Sequence, residues 1–175
     1  GISSIDEIES INLTAATELE FWVNTPEDKA DIEALHVSQS LKEQYWKRTK
    51  GIIRTCLENS LIILQNLGVE PEMGHKEVGG ITSSISIDGK TNHAMEQLEI
   101  DWKYSTPLQC ADNELLAREV IEDVFCRSGL EVTFKAKPLD SVAGSGEHTH
   151  FGISAKLKNG KIVNLFSPED MKNDY

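Results

Sequence analysis

Asn12-Leu-Thr-Ala-Ala-Thr-Glu-Leu-Glu-Phe-Trp-Val23 places Leu13, Ala15, Leu19, Phe21 and Val23 on one side of an extended chain. Thr14, Glu18, Glu20 and Trp22 fall on the other. Alternation with period two marks a strand whose two faces meet different surroundings. Residues two apart share a face, so Glu18 and Glu20 stand side by side while Leu19 and Phe21 anchor the opposite face. Two neighbouring carboxylates repel. On a concave face the repulsion raises a pKa or recruits a cation, and on a solvated strand it costs little.

Outward from this strand, the turn signal Asn24-Thr25-Pro26 leads into a stretch of helical composition reaching about Leu67. There Ile53, Cys56, Leu57, Leu61 and Leu64 recur at helix-face spacing, and Gly68 is a natural stop. Short alternating segments follow at Gly74 to Val78, Ile81 to Ile87 and Met95 to Tyr104, with Gly79-Gly80 read as a break and Asp88-Gly89 as a turn. A second helix is expected from about Asn113 to Arg127, ending at Gly129. Leu130 to Ala136 and Glu147 to Leu157 alternate again, the second leading into a hairpin at Asn159-Gly160. With no internal repeat, low-complexity tract or linker, the order strand, long helix, strands, helix, strands describes one α+β unit.

Composition narrows the function. With 39% hydrophobic and 26% charged residues the 175-residue chain has the balance of a soluble globular domain, and no apolar run approaches the roughly 20 residues of a membrane span. A net charge of −12 argues against nucleic acid, which needs clustered Lys and Arg. Cys56, Cys110 and Cys126 form no close-spaced metal pair, and their odd count gives no disulfide framework, so reduced cytoplasmic thiols are expected. The chain begins at Gly1 without a starting Met, charged leader or apolar signal core, as expected of a trimmed terminus.

The pattern of Glu18 and Glu20 recurs. His75 and Glu77 share a face, as do Gln97, Glu99 and Asp101 opposite Leu98, Ile100 and Trp102, and as do His148 and His150 opposite Thr149, Phe151 and Ile153. If these faces converge, Glu18, Glu20, Glu77, Glu99 and His148 form a hard, oxygen-rich donor set suited to Mg²⁺ or Mn²⁺ more than to zinc. Such ions commonly complete their shells with substrate phosphates, which points toward ATP. Gly144-Ser-Gly146, just before the histidines, either allows close approach to a ligand or makes an ordinary turn.

In this order and spacing, Glu18-Leu-Glu20, His75-Lys-Glu77-Val, Gln97-Leu-Glu99-Ile and Lys137-Pro138 followed by Gly144-Ser-Gly-Glu-His148-Thr-His150 resemble the motifs of the glutamine synthetase family. The resemblance runs from about Thr14 to Lys158. It implies a largely antiparallel curved sheet with a polar metal-binding face packed by two main helices, half of a catalytic domain of the glutamine synthetase and guanido kinase type. By the same resemblance, Glu20, Glu77 and Glu99 would hold one divalent metal, while Glu18 and His148 would help to hold a second against ATP phosphates. Glu72 and Tyr104 match nucleotide contacts, His150 a phosphate-side histidine, and Gly144 a backbone contact to substrate glutamate. The implied reaction joins glutamate and ammonia at the expense of ATP, through γ-glutamyl phosphate, in the cytoplasm.

The chain also departs from the family pattern. Ala143 stands where an Asn usually precedes Gly-Ser-Gly, and Thr82 to Met95 lengthens the connection between two of the motifs, as in a divergent bacterial-type branch. The family's downstream arginines, a further metal-binding glutamate, a flap glutamate and its N-terminal β-grasp domain have no recognisable counterpart. Residues 1–175 are therefore expected to be a single partial catalytic domain, inactive by itself, from a homo-oligomeric ring. Two alternatives stand beside the glutamate–ammonia ligase: a γ-glutamylamine ligase that takes polyamines or other amines, made credible by Ala143, and a non-catalytic metal-binding relative.

Overall fold

The computed structural model describes residues 2, 4–26, 51–83, 93–138 and 144–166, and the side chains among them other than those of residues 26, 78–83 and 93–94. A short 3-10 turn, Ile5–Glu7, leads into strand β1, Ile8–Pro26. Helix α1 (Gly51–Asn66), strands β2 (Pro71–Ser83) and β3 (His93–Trp102), helix α2 (Pro107–Arg127) and strands β4 (Glu131–Thr133), β5 (Glu147–Leu157) and β6 (Ile162–Asn164) follow.

The strands form one sheet in the order β2-β3-β1-β5-β6, and every pairing is antiparallel. β1 lies at its centre. One edge of β1 pairs with β3, and the other is shared by β5 along Ile8 to Leu19 and β4 along Trp22 to Asn24. Leu19, Phe21, Leu98 and Ile100 turn toward the helices, where they pack with Leu57 of α1 and Ile121 of α2 in a continuous core. Phe21 meets Phe125 of α2 edge to face, with ring centroids 5.8 Å apart, the arrangement that the ring quadrupoles favour. The architecture is thus an α+β sheet with two helices on one face, leaving the other face for polar side chains.

Several boundaries differ from those expected. α2 begins at Pro107, two turns before Asn113, because the Thr106 hydroxyl accepts from the Gln109 amide (3.3 Å) and Pro107 occupies the first turn, where its missing N–H costs nothing. The helix ends as expected, with Gly129 at φ 73° and the Leu130 amide returning to the Phe125 carbonyl. Gly79-Gly80 does not break the strand. β2 runs through it with register irregularities between Val78 and Ile81, a bulge in place of an end. Only Glu131–Thr133 of the expected strand Leu130 to Ala136 is paired. The first part of the expected long helix, the Asp88-Gly89 turn and Ala143 lie outside the described residues.

Candidate metal centre

Register brings the polar faces together. Glu18 lies opposite Asp101 of β3 and, across the other edge of β1, opposite His148 of β5. Glu20 lies opposite Glu99, and Glu99 is in turn opposite His75 of β2. Four strands therefore deliver acidic and imidazole groups to one face. Two sets have ligand atoms all within 4.8 Å of one another: Glu18, Glu99 and His148, and His75, Glu77 and Glu99. Glu99 belongs to both. His75 Nε2 lies 3.4 Å from Glu99 Oε1 and 3.9 Å from Glu77 Oε1, and Glu18 holds His148 Nδ1 at 3.1 Å and His150 Nε2 at 2.8 Å, one on each carboxylate oxygen.

The electrostatics follow from this crowding. Burial, then the charges of Glu77, Glu18, Glu20 and Asp101, push the Glu99 carboxyl up from 4.5 to about 7, since each effect disfavours a further negative charge. Asp101 is also raised, chiefly by burial, against the opposing pull of the Met73 amide and His75. Its Oδ1 is buried without a hydrogen-bond partner. A buried, unpartnered carboxylate oxygen beside a carboxyl held near neutral pH is a set of groups short of positive charge, which a divalent cation would supply. The residues fit such an ion, and the predominance of oxygen donors fits Mg²⁺ or Mn²⁺.

Other expected site residues fall differently. Glu20 is in neither ligand set: its Oε2 accepts from Gln97 Nε2 at 2.6 Å and from the Gly146 amide at 2.7 Å. Gly144 gives its carbonyl to the same Gln97 nitrogen at 2.9 Å, and a Cβ there would stand 2.4 Å from the Ala136 carbonyl oxygen. A Cβ on Gly146 would stand 2.9 Å from Glu20 Oε1. Gly144 thus approaches the Ala136 backbone as only glycine permits, and Gly146 brings the loop against Glu20 of the acidic face. Glu72 and Tyr104 are exposed and outside both sets. His150 shares Glu18 with His148, and the side chains of both are nearly two-thirds exposed. His75 completes one set without having been singled out as a ligand, and Asp101 adds its charge beside Glu99 from outside both sets. Their signal was present, since His75 alternates onto the face of Glu77, and Asp101 onto that of Glu99.

An antiparallel sheet that packs two helices on one face and gathers carboxylates and imidazoles from four strands on the other defines an α+β domain organised around a cation-type site. The family model "Glutamine synthetase, catalytic domain" matches residues 4–174. The chain belongs to the glutamine synthetase catalytic-domain family. It is 33% identical over 112 residues to the glutamine synthetase of Clostridium saccharobutylicum, a stretch covering 64% of this chain and 21% of that protein. It is 39% identical over 106 residues to that of Frankia alni, covering 61% and 19%. The chain thus matches about a fifth of the length of these curated relatives.

Among solved structures, one described as "Apo GmaS without ligand" superposes with a TM-score of 0.62 at 22% identity, covering 92% of this chain and 33% of the other. A "novel glutamine synthase homolog" gives 0.54 at 19%, covering 94% and 32%. At these identities the likeness is one of fold.

Proposed function

We propose that this chain is the metal-bearing part of an ATP-dependent glutamate–ammonia ligase that makes glutamine through γ-glutamyl phosphate. The observation that carries the proposal is the pair of ligand sets that share Glu99. His75, Glu77 and Glu99 would hold one divalent ion, with Glu20 nearby, and Glu18, Glu99 and His148 would hold a second. When bound, Mg²⁺ or Mn²⁺ supplies charge neutralisation and orientation for phosphoryl transfer. The glutamate side-chain carboxylate attacks the γ-phosphate of ATP, and ammonia then displaces phosphate from the acyl phosphate. This sequence needs no protein nucleophile. It does need pre-placed groups, which the chain supports through Glu18 holding both imidazoles and the glycine loop held against Glu20.

Glu72, Tyr104 and His150 are proposed on the nucleotide side, where the exposure of all three leaves them open to a ligand. Gly144 is proposed on the glutamate side. Residues 1–175 are proposed as one partial catalytic domain, inactive alone, of a cytoplasmic homo-oligomeric ring. Among the described residues no helix is long and apolar enough to cross a membrane, and Cys56, Cys110 and Cys126 are free thiols. Ala143 favours a second reading, a γ-glutamylamine ligase, because it removes a polar side chain beside the amino-acid loop.

Titrating Mn²⁺ into the chain tests the site. Saturable binding that Glu77→Ala and Glu99→Ala each weaken at least tenfold is expected, and unchanged binding in Glu99→Ala would sink the proposal. Assay of the longer parent protein with ammonia against polyamines and monoamines separates the two ligase readings.

A further inference from the structure

We infer that Gln97 is a positioning residue that ties the Glu20 carboxylate to the glycine loop at Gly144, so that the acidic face and the loop move as one unit. Gln97 is only 1% exposed and projects from β3 onto the site face, between Trp22 of β1 and Val78 of β2 in register. Its amide nitrogen reaches Glu20 Oε2 at 2.6 Å and the Gly144 carbonyl at 2.9 Å. Both partners only accept, which fixes the nitrogen and not the oxygen on this side and uses both of its hydrogens.

The loop is pinned from the other directions as well. The Gly146 amide donates to the same Glu20 Oε2 at 2.7 Å, the Glu20 amide donates to the Gly146 carbonyl at 3.3 Å, and the Ser145 amide donates to the Ala136 carbonyl at 2.9 Å. The loop cannot slide without breaking these bonds. Gln97 adds a bond from the acidic face to the other end of the loop, at Gly144. Oε2 is held by two donors, which leaves Oε1 for any cation that Glu20 would contact. The Gly144 carbonyl likewise keeps a second lone pair for a substrate donor. A change on either side is then transmitted through a buried amide whose loss leaves two acceptors short of a donor.

The inference rests on the proposed roles of Glu20 toward a cation and of Gly144 toward the amino-acid substrate. Its test uses the chain itself, with two readouts: amide hydrogen exchange in the metal-free protein, and Mn²⁺ titration. In wild type, Mn²⁺ is expected to slow exchange at Ser145 and Gly146. Gln97→Leu is expected to speed exchange of these two amides at least tenfold without Mn²⁺, to abolish their response to it, and to weaken Mn²⁺ binding about 10- to 100-fold. Protection in α1 and α2 should stay unchanged, which reports that the variant is folded.

Should Gln97→Leu fail to fold, Gln97→Met keeps the length of the side chain and removes both N–H donors, and the same loosening is expected. A wild-type chain that binds no Mn²⁺ overturns the cation reading and the coupling with it. Normal binding, with wild-type loop exchange in whichever variant folds, overturns the assignment of Gln97 alone.

Discussion

Burial and four neighbouring carboxylates act together on Glu99, and the sign of the result can be tested. Its folded-state pKa of about 7 lies above the usual 4.5. Between these values the folded chain keeps a proton that the unfolded chain has released. The stability this group contributes is therefore fully present below about 4.5 and lost as pH rises through about 7. Relative to Glu99→Gln, the metal-free wild type is expected to lose melting temperature between about pH 4.5 and about pH 7. Mn²⁺ affinity should run the opposite way, rising over the same interval because the cation competes with that proton. Melting curves and titrations at stepped pH check both slopes, and a parallel trend in the two would rule out Glu99 as the shared group. At Gly144 the constraint is steric. Its Cβ would stand 2.4 Å from backbone at Ala136, so Gly144→Ala is expected to cost about 1–3 kcal/mol by urea midpoint.

At the scale of elements, α2 is fixed to the sheet through a few large side chains. Phe125 is fully buried against Phe21, and Ile121 and Ala117 are fully buried on the same helix. Phe125→Ala is expected to cost about 3–5 kcal/mol in denaturant unfolding, with Phe125→Leu retaining most of that. The helix was half legible in the sequence. Its C-terminal turns carry the apolar repeat of Leu116, Val120 and Val124, whereas the first two turns, Pro107 to Asp112, carry no such repeat and depend on the Thr106 cap. β1 and β5 were legible because alternation reports on the two faces of a strand directly, whereas the convergence of Glu18, Glu99 and His148 entered only through the motif resemblance. The attachment of Glu20 was not legible. Its partner at Gly146 is 126 residues away, and no local pattern encodes such a contact. Trp22 shows the same limit: it alternates with the acids, yet it is fully buried with Nε1 unpartnered, because what covers a face is set by distant chain. β4 paired over three residues where seven alternate, and the stretch of the same edge of β1 up to Leu19 is taken by β5.

For the whole molecule, β1 decides how the parts cooperate. It pairs with β3, β4 and β5, so segments more than 130 residues apart in sequence are neighbours in one sheet. Such long-range pairing leaves no half of the sheet able to form by itself, and the chain is expected to unfold in one step. In a Trp46→Phe background Trp22 and Trp102 supply the probes, since they lie in the adjacent strands β1 and β3 with Trp22 on the side of the acids and Trp102 in the helix-packed core. Fluorescence and far-UV circular dichroism should give coincident transitions. A cation bound across β1, β2, β3 and β5 adds its binding free energy to that single transition, about 2.7 kcal/mol at a hundredfold excess over Kd. The overall charge of −12 makes any such gain sensitive to salt at the surface and less so at buried Glu99. Mn²⁺ should therefore raise the common midpoint of both probes in wild type and raise it clearly less in Glu99→Ala. If Mn²⁺ shifted one probe and not the other, the acidic face would be coupled to only part of the sheet, contrary to the central place of β1.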